Sequence, residues 1–244
     1  MKKYITILTG ILFFIFSYSS MAQRSHSLWV SGAAGMNSNW ILNQNAYGNQ
    51  EMEYATSFSP SGGIGMMYFK DRDWGFSGSA YVSKLGQRYS GYQAGATALR
   101  KVKLYYIEVP LMLMKQIPDM NYPTWISAGP SVMLLFKAQQ EYSRDGGSDL
   151  PHPDGMAVGD ITKRFKPLDV ALNVSLNRML ELNYSRSVMF LFSVNSSFGL
   201  LDINSSGYQL PNTHNLYAAS HNFYIGIKFG LMFKVGMVGG RSRW

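Results

Sequence analysis

Few residues in this chain have the type and spacing that chemistry requires. Ser220 and His221 are adjacent, with His214 close before them, and a serine beside a histidine is the core of a nucleophilic hydrolase. No acid is placed to orient the histidine, and no Gly-x-Ser-x-Gly elbow occurs. Asp145, Asp149, Asp154 and Asp160 offer oxygens to calcium, but their spacing matches no EF-hand and reads as a solvated loop. The four histidines, His26, His152, His214 and His221, lack the His-Glu-x-x-His pattern of a zinc site. Gly62-Gly63-Ile64-Gly65 has neither the third glycine nor the following helix of a dinucleotide loop. The expectation is a protein that is not an enzyme and holds no cofactor and no metal.

Charge is the remaining signal. Glu108 and Lys228 lie on the polar side of segments that are otherwise nearly free of charge, and an enclosed charge is costly unless paired. They are therefore expected to form an ion pair inside the protein. Arg88, Arg100, Lys101, Lys103, Lys163, Arg164 and Lys166 gather toward one end of such segments. There they would either bind the phosphates of lipopolysaccharide or lay long stems along an interface. No Lys/Arg-rich run or stacking module points to nucleic acid.

The elements that must carry these residues are strands. Phe223, Ile225, Ile227, Phe229, Leu231, Phe233 and Val235 alternate with Asn222, Tyr224, Gly226, Lys228, Gly230, Met232 and Lys234, and period two means one greasy face. The 13 residues of 223–235 would rise about 31 Å at the tilt of a membrane barrel, enough to cross the apolar core of a bilayer. Leu168, Val170, Leu172, Val174 and Leu176 repeat the pattern. Eight strands are expected, near 27–37, 58–69, 74–88, 102–116, 124–137, 167–181, 187–201 and 222–235. The connections between them alternate long and short, as in outer-membrane barrels with short periplasmic turns and long external loops. The polar face is rich in Gly and Ser, including Ser31, Gly35, Gly63, Ser79, Ser127 and Ser131, which suits a narrow packed lumen better than a solvated exterior. An exported soluble sandwich would alternate too, with its apolar face turned inward. Trp29, Trp74 and Trp125 fall at the short-turn ends of strands and Tyr105 and Phe223 at the opposite rim, the places of an interfacial aromatic girdle.

Composition agrees. Charged residues are only 15% of the 244 and aromatics 14%, an unusual surface for water. The chain opens with Lys2 and Lys3, an apolar stretch over 4–16 and small residues ending at Ala22, the layout of a secretory signal peptide over 1–22. Removing the two lysines lowers the formal charge from +8 to +6. There is no cysteine, so neither a lipid on cysteine nor a disulfide is available. The expected organisation is a signal peptide over 1–22, an eight-stranded antiparallel up-and-down transmembrane β-barrel over 23–235, and a short periplasmic tail over 236–244. Both termini of the mature chain would then be periplasmic.

Tyr105-Tyr106-Ile107-Glu108-Val109-Pro110-Leu111-Met112-Leu113-Met114-Lys115, followed by Ile126-Ser127-Ala128-Gly129-Pro130-Ser131, resembles the PorT-like outer-membrane β-barrel family. Ser83-Lys84-Leu85-Gly86 and Phe198-Gly199-Leu200-Leu201-Asp202-Ile203 extend the likeness. The resemblance implies a barrel in the outer membrane of a Gram-negative envelope, in a family with some members tied to secretion machinery. Leu85, inserted where the family has Lys-Gly, and a seventh strand without the family's Arg-Tyr pair depart from it. The last strand also resembles the signal read by the barrel-assembly machinery, through Lys228, Gly230, Phe233 and Val235.

An eight-stranded barrel is narrow enough for side chains to fill, so porin-like conduction is not expected. Function falls to the long loops, chiefly 138–165, binding an unknown protein partner or stabilising the envelope among outer-membrane lipid and lipopolysaccharide. An accessory subunit of an outer-membrane secretion or assembly complex is the second reading, and a small channel the third.

Overall fold

Period two turns into strands through most of the described residues. The computed structural model describes residues 26–43, 52–70, 73–93, 96–118, 120, 122–145, 158–209 and 217–238. Its strands are β1 (His26–Leu42), β2 (Met52–Ala55), β3 (Phe58–Phe69), β4 (Trp74–Gln93), β5 (Ala96–Gln116), β6 (Thr124–Arg144), β7 (Gly159–Asp160), β8 (Leu168–Glu181), β9 (Val188–Gly199) and β10 (His221–Val238). β2 and β7 are short additions to β4 and β6. The other eight form a ring in chain order, every neighbouring pair antiparallel, and β10 pairs back onto β1. Within the ring, closure leaves no unpaired sheet edge, which is what a strand protein needs in order to sit in hydrocarbon. The fold is an eight-stranded antiparallel up-and-down β-barrel.

The greasy rows face outward. Ile64, Phe76, Leu111, Ile126, Leu172, Ile227 and Leu231 are exposed, while Ser31, Asn37, Ser83, Glu108, Ser127, Asn173 and Ser197 are buried in the lumen. A water-soluble sandwich would show the reverse. At one end of the ring the connections are the short segments 70–73, 117–123 and 182–187. β1 begins and β10 finishes there, His26 opposite Val238. This is the short-turn end; the opposite one is the long-loop end.

Several strands outrun expectation: β1 continues to Leu42 where 37 is expected, and β4, β5, β6 and β10 are longer as well. The loop of about thirteen residues expected between the third and fourth strands is instead a continuation of strand, with β4 and β5 paired as far as Gln93 and Ala96. β4 leaves β3 at Ser83 and β6 leaves β8 at Leu134, and each continues beside β5, to Gln93 and Arg144. A three-stranded projection therefore rises above the ring. Alternating hydrophobicity does not reveal it, because its outer face is not required to be apolar. At the other end β10 continues to Val238, so residues expected to start the tail still pair with β1, Leu28 opposite Gly236. The expected signal peptide over 1–22 and the tail beyond Val238 lie outside the described residues.

Candidate functional site

The lumen is built in three layers, because each strand turns every second residue inward. Toward the short-turn end lies an apolar layer of Trp29, Met67, Phe69, Met114, Trp125, Met179, Leu191 and Met232. Trp29 and Trp125 were expected in a girdle facing lipid, but they are only 4% exposed. They share the inward parity of Ser31 and Ser127, and Trp125 packs on Phe69 with ring centroids 4.7 Å apart. Trp74 is exposed, and Tyr105 and Phe223 are half-buried on the outward parity of their strands. Phe223 lies 5.5 Å from Trp40 of the neighbouring strand.

A polar layer follows. Glu108 accepts hydrogen bonds from Tyr224 Oη at 2.8 Å, Ser83 Oγ at 3.2 Å and Asn173 Nδ2 at 3.4 Å. Lys228 lies with its Nζ 3.9 Å from the centre of the Tyr81 ring. Both charges line one cavity of about 60 Å³, room for a few waters. The expected direct ion pair does not form: the carboxylate is held by neutral donors and the ammonium by a ring face. Gly63 makes this possible, since a Cβ there would stand 2.0 Å from Ala80 O and 2.7 Å from Tyr81. Asn177 joins Ser127, Ser175 and Ser193 in a second network.

A second apolar layer seals the long-loop end, with Ile41, Leu85, Tyr89, Val102, Leu104, Tyr106, Met133, Leu135, Ile161, Phe165, Ile203 and Tyr224. Loop residues Ile161, Phe165 and Ile203 are folded over the mouth. Ile161 N donates to Ala138 O at 3.0 Å, and Lys166 N donates to Ile203 O at 2.7 Å. Asp202 is the hub of this cap. Its carboxylate accepts from Gln209 Nε2 at 2.7 Å, Tyr217 Oη at 2.8 Å, Ser220 N at 3.1 Å and Asn204 N at 3.2 Å, with Lys166 Nζ at 3.6 Å. Burial acts to raise the Asp202 pKa, but the donors, led by Ser220 N–H and Tyr217 O–H, outweigh it and hold the group below its ordinary value.

The seven basic residues expected along one rim separate into three groups. Arg100 is fully buried inside the projection, its Nε donating to Gln140 Oε1 at 3.0 Å and its guanidinium 5.3 Å from the Tyr89 ring. It cannot share a face with Lys101, because consecutive strand residues point to opposite sides. Lys163, Arg164 and Lys166 sit in the cap, where Arg164 lies over Tyr208 at 5.6 Å and Lys166 faces Asp202. Arg88, Lys101 and Lys103 point outward from the projection, joined by two residues outside the expected basic rim, Lys84 and Lys137. Lys103 is hydrogen-bonded to Glu141 and holds that carboxyl below its usual range.

The serine–histidine pair is split. Ser220 is buried and accepts from Asn204 Nδ2 at 3.0 Å, whereas the His221 ring stacks on Phe198 on the other side of the strand. His214, Asp149 and Asp154 lie outside the described residues, and Asp160 is engaged by Thr162 N at 2.8 Å and Thr162 Oγ1 at 2.6 Å. On β10, Lys228 and Gly230 have inward parity, while Phe233 and Val235 are exposed on the outer face.

No curated protein matches the sequence. Among solved structures, neisserial surface protein A is 13% identical with a TM-score of 0.43, over 86% of this chain and 99% of that one. The outer membrane protein OprG from Pseudomonas aeruginosa is 10% identical with a TM-score of 0.35, over 87% and 96%. The outer membrane protein AlkL in DMPC lipid bilayers is 10% identical with a TM-score of 0.43, over 91% and 97%. The family model for the outer membrane protein beta-barrel domain matches residues 21–205, most of the described ring. With a closed ring, an outward apolar belt and that match together, this chain belongs to the outer membrane protein beta-barrel domain family, whose place is the outer membrane.

Proposed function

We propose that the protein is a sealed, non-conducting and non-enzymatic barrel that works through the projection and loops at its long-loop end, binding a partner or stabilising the envelope. The observation that carries this reading is the pair of apolar layers bracketing the polar middle of the lumen. A hydrophobic constriction excludes water and ions, and here two stand in series. In this reading the long-loop end is extracellular and both ends of the ring's chain are periplasmic, as in barrels with short periplasmic turns. Trp74, Tyr105 and Phe223 then serve as interfacial anchors, and β10, through Lys228, Gly230, Phe233 and Val235, as the assembly signal.

Reconstitution in planar bilayers tests the seal: the wild type is expected to give no steady conductance, and regular single-channel steps would overturn the reading. The accessory-subunit role, toward which the PorT-like resemblance points, makes a separate demand. It requires a protein partner on the lipid-facing wall, which co-purification after mild detergent extraction would detect.

A further inference from the structure

The geometry points to a binding surface for phosphorylated lipid of the outer leaflet at the root of the projection, made by Lys84, Arg88, Lys101, Lys103 and Lys137. It rests on the reading of the long-loop end as external. The outward rows of the three strands change character at one height. On β4 the outward residues run Trp74, Phe76, Gly78, Ala80, Val82 and then Lys84 and Arg88. On β5 they run Lys115, Leu113, Leu111, Val109, Ile107, Tyr105 and then Lys103 and Lys101. On β6 Ile126, Ala128, Pro130, Val132, Leu134 and Phe136 lead to Lys137.

A tilted barrel strand climbs about 2.6 Å per residue. Lys84 therefore stands about 26 Å above Trp74, and Lys103 and Lys137 about 31 Å above the short-turn end, against an apolar band about 25 Å tall. These cations begin where the hydrocarbon stops, which is the level of the outer-leaflet phosphates.

Register brings them together. Arg88 is opposite Lys101, Lys84 is opposite Tyr105, and Tyr105 is opposite Lys137. Between Lys84 and Arg88 stands Gly86, so no side chain separates them; it has a φ of +132°, and a Cβ there would lie 2.0 Å from Val102 O. Carboxylates offset the patch only in part. Glu141 is opposite Lys101 and paired with Lys103, and Asp160 lies near Lys137 and Lys163, so five cations face two carboxylates and the patch stays net positive; Glu53 stands higher, opposite Ser90. Generic snorkelling would scatter cations around the whole circumference. Instead, among the described residues, the outward positions at the long-loop ends of the other ring strands are Trp40, Leu42, Phe58, Leu168, Phe198, His221 and Phe223, with no Lys or Arg among them. One flank is cationic and the other mainly apolar and aromatic. Clustered Lys and Arg donors are what phosphate oxygens select, and the apolar rows directly beneath accommodate the acyl chains of the same molecule.

The test is lipid retention in native mass spectra of the full chain, released from phosphatidylcholine nanodiscs doped with bis-phosphorylated or with dephosphorylated lipid A. The wild type is expected to retain the phosphorylated form about tenfold better. The K84Q/R88Q/K101Q/K103Q/K137Q variant should lose that preference, and K163Q/K166Q should keep it. Heat-dependent gel mobility reports whether each variant folds, and if the fivefold variant does not, the K84Q/K101Q pair carries the same expectation. Equal retention of the two lipids, or loss of preference only in K163Q/K166Q, would overturn the proposal. Displacement of the lipid by millimolar inorganic phosphate would reassign the surface to a free anion. A dimer peak that vanishes with the five cations would reassign it to a second copy. None of these readouts depends on which way the barrel faces, so protease cleavage of the projection on intact cells tests the orientation separately.

Discussion

Lys228 meets a ring in the lumen where a carboxylate was expected. A cation over an aromatic face contributes about 0.5–2 kcal/mol, more when desolvated. Replacing Tyr81 by Leu is therefore expected to lower stability to urea in lipid vesicles by about 1–2 kcal/mol, whereas Tyr81→Phe, which keeps the ring, should change little. Equal losses in the two variants would show that the hydroxyl, and not the ring, matters. That Glu108 and Lys228 both point inward was legible from parity alone. That they do not touch was not, because they sit on β5 and β10, and their separation depends on the registers of several intervening strands. Parity was equally available for Trp29, Trp125 and Arg100. Trp29 keeps step with Ser31, Trp125 with Ser127, and Arg100 is out of step with both Lys101 and Lys103, so the inward direction of each follows from period two.

Strands were legible wherever one face meets hydrocarbon, since only there must alternate residues be apolar. β10 and β8 show it most clearly, and their expected and observed limits agree within a few residues. Ile227 lies in the apolar belt of β10 and is exposed. Ile227→Arg is expected to cost about 2–4 kcal/mol in vesicle refolding, the penalty for a cation near the bilayer midplane, while Ile227→Leu should be neutral. A cost below about 0.5 kcal/mol for the arginine would mean that this face does not contact lipid. Only the far ends of β4, β5 and β6, residues 89–93, 96–101 and 138–144, are expected as loop from the sequence, for the complementary reason. Beyond Ser83 and Leu134 the outer face bears Lys84, Arg88, Lys101 and Lys137, and inside it Arg100 and Gln140 break the apolar run. Backbone pairing continues there without the sequence alternation that advertises it.

At the scale of the whole molecule, the cap over the long-loop end hangs on Asp202. Folding holds its pKa below the unfolded value, so the unfolded chain takes up the proton more readily. The stabilisation is fully present above the unfolded pKa and is lost as pH falls through the folded one. Cleavage of the 200–220 segment by a protease active across the range, normalised at each pH to its cleavage of an unstructured peptide, should therefore rise on moving from neutral pH to about pH 3. Asp202→Asn should show raised cleavage already at neutral pH and little further change on acidification. An unchanged acid response in that variant would place the sensitivity elsewhere in the cap. Closure, strand number and outward-facing apolar rows were all legible beforehand. The stacking of three lumen layers was not, because it needs residues from loops such as Ile161 and Ile203 to meet strand residues far away in the chain. The unequal height of the wall has one more consequence. Among the described residues the wall is taller along β4, β5 and β6 than elsewhere, so spinning about the long axis changes what each neighbour in the lipid encounters. If that end faces outward, as proposed, crowded copies would not be indifferent to one another's headings.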